Sequence, residues 1–530
     1  MVQETDFVVV GGGTAGCTLA GRLTEDPNLS VCLLEAGQRD NSWRIQVPLG
    51  FAFTVPTRQF NWAFETVPQP GLNGRCGYQP RGKTLGGSSS INAMMYIRGH
   101  RCDYDHWAAL GNSGWAYDDL LPLFRQSENN ADLRDAYHGN DGPLHVSYLR
   151  SPSPFFQLCI DAALQLGFKP NADFNGAEQD GIGYTQVMQV NGERCSAAKA
   201  FITPNLARGN LQVETNAHAT RILFEGKRAV GVEYRQGGQL RQIRARREVI
   251  LAAGALQSPQ LLLLSGIGDG EALRQHGIGV LHHLPGVGHN LQDHLDINLN
   301  YRAWHPDLIG TEPASALALL RGILPYRRER RGIWSSNFAE VNCFFKSDPA
   351  LPAPDLQIEI SRGITNDHGR KKVFVRGFCV IVTVLRPKSI GQVSLASADP
   401  MAAPQIDPNF LSHPDDSELF IKGIRIARRI IASPLLDKYR GQELYTGHAQ
   451  SDDEIRAVLR QRADTNYHPV GSCKMGVDAM AVVDPLLRVH GVEGLRVVDA
   501  SIMPTLIGGN TCAPSIMIGE KAAQLIREQA

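Results

Sequence analysis

Two residues near the far end of this chain are the ones best suited to chemistry: His468 in YHPVGSCKMG and Asn510 in GGNTCAPSIMIGEKAA. An imidazole can take a hydroxyl proton near neutral pH. A carboxamide N–H can then stabilise the oxygen left behind, an effect of about 3 kcal/mol for one such donor. Pro469 biases the His468 backbone toward an extended conformation, which limits where the ring can point. Gly508 and Gly509 permit a tight turn that aims Asn510 at the same oxygen. A histidine taken blind among the sixteen in the chain is more often a satisfied core residue. The surrounding motif is what singles out His468.

Something must hold the reactant that this pair would act beside, and the start of the chain supplies it. TDFVVVGGGTAG leads from an apolar strand over Phe7–Val10 into a small-residue helix over Ala15–Leu23. A second strand over Val31–Leu34 ends at Glu35. This is a βαβ unit of dinucleotide-binding type. Gly11 permits the tight turn, Gly13 lets the main chain approach a pyrophosphate, and Gly16 lets helix and strand pack closely. The helix N-terminus offers free N–H groups and a partial positive charge to phosphate. Glu35 can accept from an adenosine ribose and would repel a 2′-phosphate, so NADP is disfavoured.

Composition narrows the remaining classes. The chain has 530 residues, more than one ordinary core holds, so two domains are expected. It is 43% apolar and 20% charged, as globular proteins are. Lys+Arg and Asp+Glu are both 53, so no net field draws it to nucleic acid. Its densest apolar run, QLLLLSGIG, is broken by Ser265 and Gly266, short of a membrane span. The ten cysteines contain no C-x-x-C pair, which argues against a disulfide scaffold or a thiolate metal site. With a strand opening within a few residues of the N-terminus, no signal peptide is expected, and the expected location is cytoplasmic.

Between the two ends the texture alternates. RGKTLGGSSSINAMMYIRGH (Arg81 to His100) is a donor-rich loop, with INAMMYI expected to continue as a helix. Strand-like stretches follow Ala207, and GALQSPQLLLLSGIG repeats a strand–glycine–helix step. From Asp296 to Leu459 there is more proline and longer strands such as VFVRGFCVIVTVLRP. The expected architecture is α/β (α+β overall): a Rossmann-like nucleotide domain and a second, substrate domain on an antiparallel sheet flanked by helices. The first would be discontinuous, from residues 1–150, 207–295 and 460–530; the second would take 151–206 and 296–459.

These motifs resemble those of the glucose–methanol–choline (GMC) family of flavin alcohol oxidoreductases. GKTLGGSSSINAMMYIRG and GALQSPQLLLLSGIG are similar to the family's two signatures, and VGHNLQDH, HPVGSCKMG and VVDASIMP also match, in the family's order. The likeness is nearest to choline dehydrogenases and bacterial medium-chain aliphatic alcohol dehydrogenases. It implies FAD as cofactor, a small-molecule alcohol as substrate and a quinone or oxygen as electron acceptor. Position by position, it assigns Gly11, Gly13, Thr14, Ala15 and Gly16 to the pyrophosphate, and Glu35 with Ala36 to the ribose. Trp62, Arg81, Gly82, Gly87, Asn92, Ala93, Met94 and Met95 would lie along the cofactor, with Ala219 at the adenine. Asp499, Ala500, Asn510, Thr511 and Pro514 would close the flavin end. Tyr467 and His468 would meet substrate. Relatives that bind FAD covalently carry a histidine just before the asparagine of the first signature; here Ile91 stands there, so FAD is expected to be non-covalent.

The implied reaction is oxidation of a primary, medium-chain aliphatic alcohol by proton abstraction at His468 and hydride transfer to flavin N5. An oxygen-using alcohol oxidase, a choline dehydrogenase and a hydroxynitrile lyase of the same fold are the alternatives. The helix after Asn510 adds a dipole that favours negative charge on reduced flavin. Glu340 is a candidate acid in the substrate cavity. His282, His283, His289 and His294 cluster with Asp293, but no ligand spacing recurs, so a structural loop is expected and no metal. RGILPYRRERRGIW is a candidate peripheral contact with the inner membrane, beside the plain reading of a solvated charged face. Oligomeric state is left open.

Overall fold

A parallel strand buried on both faces needs an unbroken apolar run, and FVVV and VCLL provide two. The structure, a computed structural model, describes residues 3–529. Strand β1 (Gln3–Val10) lies between β2 (Val31–Glu35) and the strand Gln239–Leu251, parallel to both. Leu211–Thr215 adds to the outer side of β2. Leu495–Val497 pairs in parallel with Val249–Leu251, returning the end of the chain to this seven-stranded sheet. His218–Glu225 and Arg228–Gln236 extend the opposite edge as an antiparallel meander, where the sequence placed strands.

Helix α1 (Thr14–Leu23) covers this sheet, and the C-terminal helix covers α1. The two helices meet at backbone distance: a Cβ on Gly519 would come within 2.7 Å of the Ala15 carbonyl oxygen. Arg22 and the buried Glu520 close the contact with an ion pair at 2.8 Å. The two ends of the chain are thereby fastened together.

The second core sits under an eight-stranded sheet. Leu295–Arg302, Arg376–Val384, Leu356–Ser361, Ala339–Phe345 and Gly181–Tyr184 follow one another across it, every pair antiparallel. Helix Pro414–Ile431 buries Phe420, Ile424 and Ala427 in this core. Helix α2 (Pro313–Glu329) runs along the outside with only Ser315 and Tyr326 buried.

Two expectations need correction. Residues 195–202, assigned above to the second domain, contribute Ala197, Ala198 and Phe201 to the first core. INAMMYI is not a helix: after the short turn Gly87–Ser90 the chain runs past the first core as irregular, mostly buried backbone. Met94 sits at φ +60° there, and its N–H is taken by the Asn92 side chain. Helical spacing of apolar residues was satisfied by tertiary burial alone. Helix α3 (Cys512–Arg527) ends the described fold, with Pro514 in its first turn.

Candidate active site

A cavity of about 570 Å³ runs between the two units. One end is the turn from β1 into α1, where each glycine has its own reason. Gly11 has φ +106°, and a Cβ there would strike the Ala252 carbonyl oxygen at 2.4 Å. A Cβ on Gly16 would come within 2.0 Å of the Gly11 oxygen, so Gly16 serves packing and does not line the cavity. Gly13 is different: an added Cβ would meet nothing closer than 3.7 Å. The bare face it presents, with Thr14 and Ala15, is open for a ligand.

Glu35 ends β2 at the same cavity and accepts the N–H groups of Gly12 and Gly37 at 2.9 and 2.7 Å. Burial lifts its carboxyl to about 7 against those two bonds and the Lys83 charge. Ala36, Ala219 and Trp62 line this end too. Trp62 stacks on Phe64 at 5.5 Å and takes the Lys83 ammonium over its ring at 4.0 Å. Midway, Arg81, Gly82, Gly87, Asn92, Ala93, Met94 and Met95 form the wall, and Asp499, Ala500 and Thr511 lie toward the far end. Pro514, by contrast, packs inside α3 away from the cavity.

The far end holds the histidine–asparagine pair. His468 Nε2 and Asn510 Nδ2 are 3.2 Å apart, and both residues face the cavity. His468 is placed by strand-like pairing of its segment with residues 292–294. Val470 and Gln292 exchange backbone bonds at 2.8 and 3.0 Å, and Asn466 N–H donates to the His294 carbonyl at 2.7 Å. The His468 N–H donates to Asp293 at 2.8 Å. Arg81 holds the preceding carbonyl of Tyr467, whose φ is +69°. A side-chain-bearing residue held left-handed beside a candidate base is local strain of the kind found at functional sites. Asn510 follows two glycines that have no positive φ; they are required by close approach. A Cβ on Gly508 would meet the Arg386 guanidinium at 2.6 Å, and one on Gly509 would meet Ile97 at 2.6 Å.

The hydrogen bonds fix which nitrogen of His468 carries a proton. His294 Nε2 lies 2.9 Å from the Leu385 carbonyl, which can only accept, so that nitrogen is protonated. Burial, aided by the Arg386 charge, lowers the His294 imidazole to about 4. It is therefore neutral, and its Nδ1 is an acceptor. His468 Nδ1, 2.9 Å away, must donate to it. The His468 Nε2 lone pair is left facing the cavity and Asn510. Burial, then His294 and Arg81, hold His468 well below the ordinary imidazole range, so it waits as a neutral base.

His294 belongs to the histidine cluster expected to be a structural loop; it lies buried with its Nδ1 2.9 Å from His468 Nδ1, where it can hold that ring in place. The His294→Phe variant is expected to slow flavin reduction roughly 10- to 100-fold, as loss of an orienting partner does at other sites. His294→Gln, whose side-chain oxygen can still accept from Nδ1–H, should recover most of that rate. A purely structural role would leave the two variants alike. In the native protein the rate should hold as pH falls past 6.5 and fail only toward about 4, where His294 takes a proton on Nδ1.

Glu340 also needs correction. It is fully buried outside the cavity, accepting from Ser336 Oγ at 2.5 Å and Ser153 N–H at 3.1 Å, with Arg362 at 3.6 Å. The register slips between Ala339 and Val341, making Glu340 the extra residue of a β-bulge that aims it away. Besides Glu35 and Asp499, the acids that line the cavity are Asp296 and Glu359, and Tyr467 is also in the lining. Glu359 accepts from Gln357 at 3.0 Å, and Asp296 accepts from Asn298 at 3.2 Å. Burial raises Glu359 to about 7, while burial and the charge of Glu359 push Asp296 far above a carboxyl's usual range.

The residues present fit a bound dinucleotide. Arg194 is buried, donates to the Ile45 and Ser89 carbonyls and to Asn92 Oδ1, and leaves Nη2 without a partner. No carboxylate pairs with it among the described residues. A buried cation without a counter-charge is costly, and its neighbours Ser89 and Asn92 share a cavity with the Gly13–Thr14 turn. A diphosphate bound at that turn would bring negative charge to the Ser89–Asn92 segment that Arg194 holds. Ile91 offers no nucleophile, in keeping with non-covalent binding.

A Rossmann-like nucleotide domain, an antiparallel-sheet domain and a histidine–asparagine pair between them define a flavin-type oxidoreductase. The GMC oxidoreductase family model matches residues 5–296 in its N-terminal part and 387–519 in its C-terminal part. The chain belongs to the GMC oxidoreductase family, FAD-dependent enzymes that oxidise alcohols. It is 47% identical to an alcohol dehydrogenase [acceptor] of Pseudomonas putida, covering 98% of this chain and 95% of that one. It is 44% identical to the mitochondrial choline dehydrogenase of Mus musculus, over 99% and 90%. Among solved structures it superposes on pyridoxine 4-oxidase from Mesorbium loti with TM-score 0.89 and 30% identity, over 99% of each chain.

Proposed function

We propose that this alcohol oxidoreductase takes a primary, medium-chain aliphatic alcohol to the aldehyde and passes the electrons to a quinone-type acceptor. The observation that carries the reading is the His468 Nε2 lone pair set 3.2 Å from the Asn510 amide in a cavity with apolar walls. His468 Nε2 accepts the hydroxyl proton, and the resulting imidazolium keeps its Nδ1–H on His294. Asn510 Nδ2–H steadies the oxygen as it gains charge. Bound FAD supplies the acceptor for the carbon-bound hydride. The Gly13–Thr14 turn and Glu35 would hold its adenosine diphosphate end, and Asp499, Ala500 and Thr511 its ring end. The N-terminus of α3 opens on the cavity through Thr511 and Cys512, so its dipole favours negative charge there.

The lining includes the apolar side chains of Phe51, Ile309, Leu319, Phe338 and Val375, suited to an alkyl chain. Burying a methylene contributes about 0.8 kcal/mol, so kcat/KM should rise about fourfold per added CH₂ until the apolar part of the cavity is filled. Anaerobic stopped-flow bleaching of the flavin by a series of straight-chain alcohols measures this. No bleaching across the series sinks the proposal. Reoxidation by a quinone analogue far faster than by oxygen marks the dehydrogenase; the reverse marks an oxidase.

One observation favours a second reading, a cationic alcohol such as choline. Asp296 and Glu359 face the cavity with no basic side chain paired to either among the described residues. A substrate ammonium group would complete them. Under that reading Glu359→Gln lowers kcat/KM for amino alcohols at least tenfold and leaves 1-octanol unchanged, about 1.4 kcal/mol of selective loss. Under the aliphatic reading the substitution leaves both series in the same order.

A further inference from the structure

Isolated exposed apolar residues are ordinary; a contiguous patch is not. Helix α2 turns Leu317, Leu320, Ile323 and Leu324 outward, with Leu320 65% and Leu324 54% exposed. The patch continues on both sides of the helix. Trp334 donates through Nε1 to the Leu319 carbonyl at 2.8 Å, and its ring meets Trp43 at 6.4 Å. Trp43 in turn meets Phe53 at 5.7 Å, and Trp43 and Phe53 are both more than two-fifths exposed. At the start of α2, Ile309–Gly310 pairs with Arg376–Gly377, and the Thr311 hydroxyl donates to the Val373 carbonyl. This brings up Phe374, 73% exposed.

The unpaired charges around the patch are predominantly basic. Arg321, Arg327, Arg328, Arg331 and Lys372 make no ion pair with any described residue, while Glu329 is the one acid at the basic end of the helix. The chain as a whole is neutral, so this excess is local. The cavity opens here: Phe53, Thr311, Leu319, Lys372 and Val373 belong to its lining. Apolar side chains, tryptophans and unpaired arginines in one surface are the composition of a helix lying in a lipid interface. A second copy of the chain fits less well, because a two-fold contact would set the arginine cluster against itself.

We propose that this face seats on an anionic phospholipid bilayer, with α2 lying in the interface plane and the cavity mouth opening into the lipid. The leucines enter the acyl boundary and the arginines meet phosphate groups. An apolar alcohol then reaches His468 from the bilayer, a consequence that rests on the aliphatic substrate reading above.

The test is co-sedimentation of the FAD-loaded protein with phosphatidylcholine vesicles, with and without phosphatidylglycerol. Binding should appear with phosphatidylglycerol and weaken as salt is raised. A Leu320→Glu/Leu324→Glu variant should lower the vesicle-bound to free ratio at least tenfold. It should keep the native rate of flavin bleaching by a short, water-soluble alcohol. Arg327→Glu/Arg328→Glu should remove the phosphatidylglycerol preference. Native protein that stays in the supernatant, or binding indifferent to both variants, overturns the proposal. So does a Leu320→Glu/Leu324→Glu protein of smaller solution mass, which would make the face a subunit contact. Vesicle binding by a protein whose flavin no alcohol bleaches leaves the surface in place and removes the substrate reading.

Discussion

Replacing His468 by alanine is expected to slow alcohol-driven flavin bleaching by roughly 10²- to 10⁴-fold while FAD content stays unchanged. The loss is large because an alcohol is too weak an acid to ionise unaided and no other base shares the position. His294, the nearest imidazole, has its one lone pair occupied by His468 and its other nitrogen on the Leu385 carbonyl. FAD should stay because the His468 backbone, held by Asp293, survives the substitution. Stopped-flow absorbance gives the rate, and the spectrum of the purified variant gives the FAD content. A bleaching rate near native would remove His468 as base. A colourless protein would make it a cofactor anchor instead. The pH profile tests the same assignment with a definite sign. A base must be unprotonated to act, and a depressed imidazole remains so below the ordinary range. Activity should therefore persist on the acid side of pH 6.5.

The parts of this site that could be read from sequence are those whose function is local. The Gly11–Gly16 turn, Glu35 at a strand end, and the motifs around His468 and Asn510 each carry their reason within a few residues. What was not legible depends on pairing between distant segments. His294 looked like one of several clustered histidines; its contact with His468 exists only because residues 292–294 lie beside 466–470. Glu340 and Glu359 illustrate the same limit in a sheet. Both lie on strands that are buried throughout, so alternation gives no sign of which acid faces the cavity. Glu359 pairs in register with Asn342, while the slip at Ala339/Val341 removes Glu340 from the ladder. A one-residue bulge is a property of two strands together. INAMMYI failed for a related reason: apolar spacing records burial, and buried irregular backbone satisfies it as well as a helix does.

Asn510→Ala should lower the rate of flavin reduction by about 10²- to 10³-fold with little change in KM, since its N–H is spent on an oxygen that becomes charged only as the proton leaves. Asn510→Asp is the sharper variant. It keeps the shape, but it sets a carboxylate against the developing negative oxygen, so it should be slower than alanine. The same carboxylate would stand near His468 Nε2, now 3.2 Å from the amide, and favour the imidazolium. The acid limb of the rate profile should then move to higher pH, where the base is already partly protonated. An aspartate variant as fast as the native protein would show that Asn510 donates nothing to the reacting oxygen. Loss of FAD in both variants would point to another role, fixing the start of α3, because Asn510 stands just before Thr511 and Cys512 at the mouth of that helix. The amide oxygen gives a reason to expect the first result. It is buried without a partner, so the one side-chain hydrogen bond that the substitutions remove is the amide's contact with His468 Nε2, and no bond from Asn510 to the cofactor-side backbone is lost with it.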